Sequence, residues 1–289
     1  MLTITQEQRQ YLTYMLTDTD ADTQIEVVPE RGGIVTHWRF QGQELFYLDA
    51  ERFLHPDLTV RGGIPILFPI CGNLPDNQYT HAGQTFELKQ HGFGRNLPWQ
   101  VLDQSTDGGA RLAVQLKSNE ETLASYPFAF ELTYTYELIG NRLILHFQVV
   151  NLSEEVMPFV SGIHPYFSVK DKSQLQFQLP AAQYWDHQSQ ETVSFAGEFD
   201  LTREEIDVAL KPLTDQVAVV TDTGAGTRLT LRYQDPVSTL VFWTVKGKDF
   251  YCLEPWTAPR QALVTGDHLL QLQPQQSLAY DVSFEIARI

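Results

Sequence analysis

Five side chains in this sequence stand in local settings that set them apart from ordinary polar residues: Glu254, His164, His91, Arg61 and Arg95. Glu254 interrupts the apolar run Tyr251-Cys-Leu-Glu-Pro-Trp, and His164 sits inside Phe159-Val-Ser-Gly-Ile-His-Pro-Tyr-Phe. His91 and Arg95 share Gln90-His-Gly-Phe-Gly-Arg, and Arg61 opens Arg61-Gly-Gly-Ile-Pro. In an extended chain Glu254 shares a side with Cys252 and opposes Leu253, which aims it into a groove or onto a solvated surface. A carboxylate near ~4.3 and an imidazole near ~6.5 make a base and an acid at neutral pH, and a nearby carboxylate raises the imidazole further. Guanidinium forks match phosphate oxygens two at a time. Plainer readings exist for each residue: a solvated strand glutamate, a satisfied core or turn histidine, an arginine paired with one of 36 acidic residues. His91, His164 and Glu254 also have the donor types of an open metal site, although no compact His-x-His pair is present.

Period-two patterns dominate the segments that must position these groups. Gln24-Ile-Glu-Val-Val, Gly33-Ile-Val-Thr-His-Trp-Arg-Phe and Glu44-Leu-Phe-Tyr-Leu predict strands separated by turns. Further strands are expected at 111–116, 130–138, 142–150, 175–179, 217–220, 228–233, 239–245, 250–254 and 277–286. Only two short helices are expected, near Asn119 to Ala124 and Arg203 to Ile206. Many strands without βαβ alternation predict an all-β chain, a large antiparallel two-sheet β-sandwich. Residues 1–289 are expected to form a single domain, with 1–23 as a peripheral lead-in whose Asp18 to Asp22 stretch is acidic and exposed.

Composition narrows the function classes. A net charge of −16, from 36 acidic against 20 basic residues, argues against nucleic acid or an anionic membrane surface as partner. A small anion remains allowed, because two or three local donors hold it and more distant charges are screened within about 10 Å. Cys71 and Cys252 make no disulfide framework and read as buried thiols in a reducing compartment. The amino terminus lacks a basic region followed by an apolar run, and no stretch approaches the ~18 apolar residues of a membrane span. The expectation is a cytoplasmic monomer.

Taken together, Arg61-Gly-Gly-Ile-Pro-Ile-Leu-Phe-Pro, Gln90-His-Gly-Phe-Gly-Arg95, Ser161-Gly-Ile-His164-Pro-Tyr-Phe and Cys252-Leu-Glu254-Pro-Trp resemble the sugar-phosphate branch of the aldose 1-epimerase (mutarotase) family. The resemblance runs from near residue 24 to the C-terminus and implies a large two-sheet sandwich with its site in a groove on the concave face. It implies Glu254 as general base at the anomeric hydroxyl, His164 as general acid at the ring oxygen, and His91 as a hydrogen-bonding partner near the reacting end. It further implies Arg61, Gln90 and Arg95 as ligands of a hexose 6-phosphate, and Asp207, with Asp200 as competitor, as a ligand of sugar hydroxyls. Trp243 and Trp256 could stack on a sugar or simply pack. The run into Thr257-Ala-Pro-Arg260-Gln departs from the family pattern and leaves the sugar open. No cofactor is implied, and no dinucleotide or phosphate-loop glycine pattern is present. Other readings are a mutarotase for unphosphorylated aldoses, a non-catalytic carbohydrate sensor on the same fold, and the metal-dependent enzyme.

Overall fold

Alternating burial turns the central segments into strands. In Phe130–Ile139, residues Phe130, Leu132, Tyr134 and Tyr136 are buried while the residues between them are only partly covered. This strand pairs antiparallel with Arg142–Asn151 across the turn at Gly140 and Asn141, whose Gly140 amide donates to Asp18 Oδ2 at 2.9 Å. A computed structural model describes residues 1–289. Its first eight-stranded antiparallel sheet runs in the order 175–178, 217–222, 227–233, 277–288, 142–151, 130–139, 110–117 and 100–105.

The second large sheet runs 191–194, 183–186, 205–210, 239–245, 250–256, 162–163 and 66–67, with Tyr166–Ser168 also paired to Phe250–Trp256. One cluster of 61 buried apolar residues, from Tyr14 to Ile286, fills the space between elements of both sheets. Phe167 meets Phe284 across that space at 5.5 Å between ring centroids, and Phe199 stacks on Phe242 at 4.2 Å. Leu253 points into this cluster, so the alternate positions on its strand, Cys252 and Glu254, face away from it. The chain is therefore a mostly β, multi-sheet antiparallel sandwich, as the patterning predicts.

Local departures have local causes. Residues 1–23, expected as a lead-in, contain the strands Leu2–Gln8 and Leu12–Asp18, which join Thr23–Val28, Ile34–Phe40 and Gln43–Glu44 in a five-stranded sheet. Tyr14 and Leu16 bury their side chains in the main core, and Asp18 is buried rather than exposed. The run Glu44 to Leu48 makes only a two-residue strand and isolated bridges, because Glu44 Oε1 accepts the amides of Trp38 and Phe46 and turns the backbone. The helix expected near Asn119 is Glu120–Ser125, capped by Asn119. That expected at Arg203 to Ile206 is absent: Asp200 caps a turn through the amide and hydroxyl of Thr202, and Glu205–Leu210 is a strand. Ala50–Leu54 and Ala262–Thr265 are short helices with no strong sequence pattern.

The amino-terminal sheet is tied together by one buried carboxylate. Glu26, 1 % exposed, accepts from Arg9 at 2.6 Å and from Arg39 at 2.8 Å, with His37 at 3.3 Å. Burial alone would raise its pKa, but the bonds from His37, Arg9 and Arg39 outweigh that and hold it at about 2. A folded-state value below the unfolded one stabilises the protein above the unfolded pKa, and that stability is lost as pH falls through the folded value. Replacing Glu26 with Gln is therefore expected to cost on the order of 3 kcal/mol at pH 7. Urea titrations should show the gap between wild type and Glu26→Gln shrinking to roughly half by pH 3. A gap independent of pH would mean that Glu26 is not ionised in the fold.

Candidate active site

Glu254 lies on Phe250–Trp256, paired with Val241 on one side, and is 1 % exposed. His164 occupies the connection between Gly162–Ile163 and Tyr166–Ser168. Its amide donates to the Pro65 carbonyl at 3.0 Å, and its ring stacks on Tyr166 at 4.7 Å. These constraints bring His164 Nε2 to 3.4 Å from Glu254 Oε1. The pair lines a cleft of about 420 Å³ on the face of the second sheet away from the main core.

His91 reaches the same cleft from a loop that folds back on Gly72. The His91 amide donates to the Gly72 carbonyl at 2.7 Å, and the Gly72 amide lies 3.1 Å from His91 Nδ1. Since Nδ1 accepts that proton, a neutral His91 carries its own proton on Nε2, a donor available to the cleft. Arg95, on the same loop, donates to the Gln90 carbonyl at 2.9 Å and leaves Nε buried without a partner. Arg61 enters from the other side, ahead of a tight crossing. A Cβ on Gly62 would lie 2.5 Å from Leu48 Cα, and one on Gly63 would lie 2.1 Å from the Val35 carbonyl oxygen. Only glycine fits this approach, and it fixes where Arg61 leaves the backbone. The rim before it is anchored by Arg31, whose buried guanidinium donates to the carbonyls of Arg52, Phe53, His55 and Leu58.

Arg61, Gln90, His91, Arg95, His164 and Glu254 all line this one cleft. Neither Arg61 nor Arg95 forms an ion pair, so the carboxylate pairing considered from the sequence does not occur. Asp207 stands behind the wall: both its oxygens accept from Arg260, at 2.7 and 2.8 Å. It is thus an indirect neighbour of the cleft, while Asp200 is exposed and spent on its turn. Trp256 is buried in packing at the cleft floor, and Trp243 is half-buried with its indole N–H on Glu205 at 2.6 Å. Arg260, Glu205, Tyr166 and Arg52 line the cleft and were not legible as site residues. The available signal for Arg260 was an arginine six residues beyond Glu254, in the segment that departs from the family pattern.

Five of the six buried polar side-chain atoms without partners in the protein belong to this cleft: Arg95 Nε, His164 Nδ1, Glu254 Oε2, Trp256 Nε1 and Arg260 Nε. Folded proteins leave few such atoms, and their concentration here marks a surface shaped for a polar ligand. Burial, then Arg95, Arg260 and Arg61, hold His164 well below the usual imidazole range. Burial, then Asp207, push Glu254 well above the usual carboxylate range, with Arg260 pulling back. This corrects the expectation of a readily charged histidine beside an ordinary ionised glutamate, because arginines and desolvation outweigh the attraction within the pair. Donor atoms of His164, Cys252 and Glu254 lie within 4.8 Å of one another. His91 is not in that group, and Arg95 and Arg260 beside it oppose a dication.

The antiparallel β-sandwich has the fold of galactose mutarotase-like proteins. The chain belongs to the aldose 1-epimerase family, whose model matches residues 15–285. A solved protein of Synechocystis sp. PCC 6803 superposes with a TM-score of 0.95 at 42% identity over 99% of both chains. A galactose mutarotase-like protein of Clostridium acetobutylicum shares the fold, with a TM-score of 0.85 at 21% identity over 100% of this chain and 99% of that one. A Cenchrus ciliaris protein provisionally named glucose-6-phosphate 1-epimerase is 28% identical over 201 residues, 65% of this chain and 58% of its own. No helix is long and apolar enough to cross a membrane.

The tautomer of His91 can be checked directly. Burial foremost, then Arg95, His164 and Arg260, depress its pKa well below 6.5. Long-range ¹H–¹⁵N spectra should show one imidazole with the neutral Nε2–H pattern, assigned by its loss in His91→Gln, unchanged as pH is lowered through 6.5. Ordinary titration there would contradict the Gly72 contact.

Proposed function

We propose that this protein interconverts the α and β anomers of an aldohexose 6-phosphate, with glucose 6-phosphate as the substrate to test first. The observation that carries this reading is the placement of two arginines without carboxylate partners, Arg61 and Arg95, in the same cleft as the buried His164–Glu254 contact. In this reading Glu254 takes the proton of the anomeric hydroxyl while His164 protonates the ring oxygen. The C1–O5 bond opens to the aldehyde, rotation about C1–C2 exposes the other face, and reclosure returns both protons. His91 Nε2–H donates to the sugar near its reacting end, and Arg61, Gln90 and Arg95 hold the phosphate. Asp207 acts on the sugar hydroxyls indirectly, through Arg260. The same reading has one domain working as a monomer in the cytoplasm, in keeping with the single large core and two unpaired thiols.

The depressed imidazole and raised carboxylate suit a pair that holds one proton between two sites. Burial disfavours both the doubly protonated cation and the fully deprotonated anion, so the neutral pair persists over a wide pH range. With the proton on Glu254, the pair has the distribution reached after ring opening. A phosphate dianion on Arg61 and Arg95 offsets two of the charges that depress His164, and so returns the proton toward the imidazole.

Three outcomes test this reading. Glu254→Gln and His164→Asn should each lower kcat by about 10²–10⁴-fold in NMR anomer-exchange measurements, with unchanged circular dichroism. Near-wild-type turnover would remove that residue from the mechanism. Arg61→Ala and Arg95→Ala should each cost about 2–4 kcal/mol in kcat/KM for glucose 6-phosphate, non-additively when combined, while hardly changing the rate for glucose. Equal losses on both sugars would favour the unphosphorylated-aldose reading. Since a bound dianion raises His164, the basic limb of the kcat–pH profile should lie at higher pH for glucose 6-phosphate than for glucose. Coincident profiles would refute that coupling.

A further inference from the structure

Beyond Arg260 the sheet face carries a second depression, of about 600 Å³, which shares Arg260 with the reaction cleft. The two depressions meet at Arg260, and strand register sets the distance between them. Glu254 pairs with Val241, Val241 with Ala209, Ala209 with Trp185, and Trp185 with Thr192, so these residues form one row across the sheet. Adjacent strands lie about 4.8 Å apart, which puts Trp185 roughly 14 Å from Glu254 along that row. Sheet order also sets direction, since this depression lies on the side of Glu254 opposite the strand Ile66–Leu67 and the nearby Arg61.

The chemistry of the depression differs from that of the arginine end. Trp185 is half-buried and stacks on no other ring of the protein, leaving an indole surface toward the space. Gln183, Gln190 and Thr192 surround it with neutral donors and acceptors, and His187 Nε2 is buried with no partner. The cations present are already engaged, Lys211 with Asp267 at 3.3 Å and Arg260 with both oxygens of Asp207. Burial, then Arg260, lower His187 to about 4, so it is a neutral hydrogen-bonding group at neutral pH. An aromatic surface ringed by amides, a hydroxyl and a neutral imidazole suits a neutral polyhydroxylated ring, whose C–H face packs on indole while its hydroxyls bond at the edges. An anion would find no unpaired charge here.

We propose that this depression is a second carbohydrate subsite, which takes a neutral sugar ring joined to the hexose in the reaction cleft. The inference rests on the epimerase reading of that cleft. With C6 of the reacting hexose directed toward Arg61 and Arg95, the side facing Trp185 is that of C2 and C3. The extended substrate is therefore a reducing oligosaccharide substituted at O2 or O3, and a 6-linked one points the wrong way.

Anomer exchange measured by NMR on glucose, glucose 6-phosphate, 3-linked laminaribiose and 6-linked isomaltose tests this. Wild-type protein should favour laminaribiose over glucose by about tenfold in kcat/KM, the contribution of one stacked ring, and isomaltose not at all. Trp185→Ala should reduce laminaribiose to the level of glucose and leave glucose unchanged. Thr192→Trp, on an exposed edge strand, fills the depression without touching the core and should do the same. Turnover of glucose 6-phosphate or glucose with no laminaribiose preference overturns the subsite alone. Turnover of none of the four sugars overturns the epimerase reading, and saturation transfer from the protein to laminaribiose then decides the subsite. Transfer lost in Thr192→Trp upholds it as a binding site, and absent or unchanged transfer overturns it.

Discussion

Burying Glu254 and His164 against each other is the constraint to which the rest of the site answers. A carboxylate removed from water costs several kcal/mol unless neighbouring charges and hydrogen bonds replace its hydration. Here the replacement is incomplete, since Glu254 Oε2 and His164 Nδ1 have no partner in the protein. Arg95 and Arg260 stabilise the carboxylate while opposing the imidazolium, and Asp207 opposes the carboxylate. The opposing fields leave a pair near neutrality with one proton to place, which is what the proposed acid–base exchange uses. Holding such a pair at 3.4 Å demands a stiff frame. The stacked Tyr166 ring, the Pro65 carbonyl and the paired strand Phe250–Trp256 supply it.

The cleft is electrostatically unlike the molecule around it. A chain of net charge −16 repels anions at long range, yet Arg61 and Arg95 lie in the cleft without carboxylate partners. Screening limits the repulsion to about a Debye length, so local donors decide capture once a ligand is close. Across the sheet the logic reverses, because Arg260 and Lys211 are neutralised by Asp207 and Asp267. Two neighbouring depressions thus differ in character, one charged and one neutral. Arg260, held by Asp207, stands where the two depressions meet, and both of these charges act on Glu254.

The sandwich was legible because period-two burial is written residue by residue, as in Phe130–Ile139, and because Leu253 and Glu254 announce opposite faces of one strand. Six side chains of one cleft were legible from the local settings of Arg61, Gln90, His91, Arg95, His164 and Glu254 and from their joint resemblance to a family. Less visible were the strands at 2–8 and 12–18, whose burial depends on which distant core they meet, and the turn at Asp200, where a side-chain cap replaced the expected helix. Only tertiary structure decided that Asp207 is held by Arg260 behind the wall, that His91 is locked to Gly72, and that burial inverts the ordinary protonation preferences of His164 and Glu254. The division has a physical basis: backbone periodicity and residue chemistry are local properties of the chain. Ion pairing, desolvation and cross-strand register depend on groups far apart in sequence, and their effects exist only once folding has set the distances.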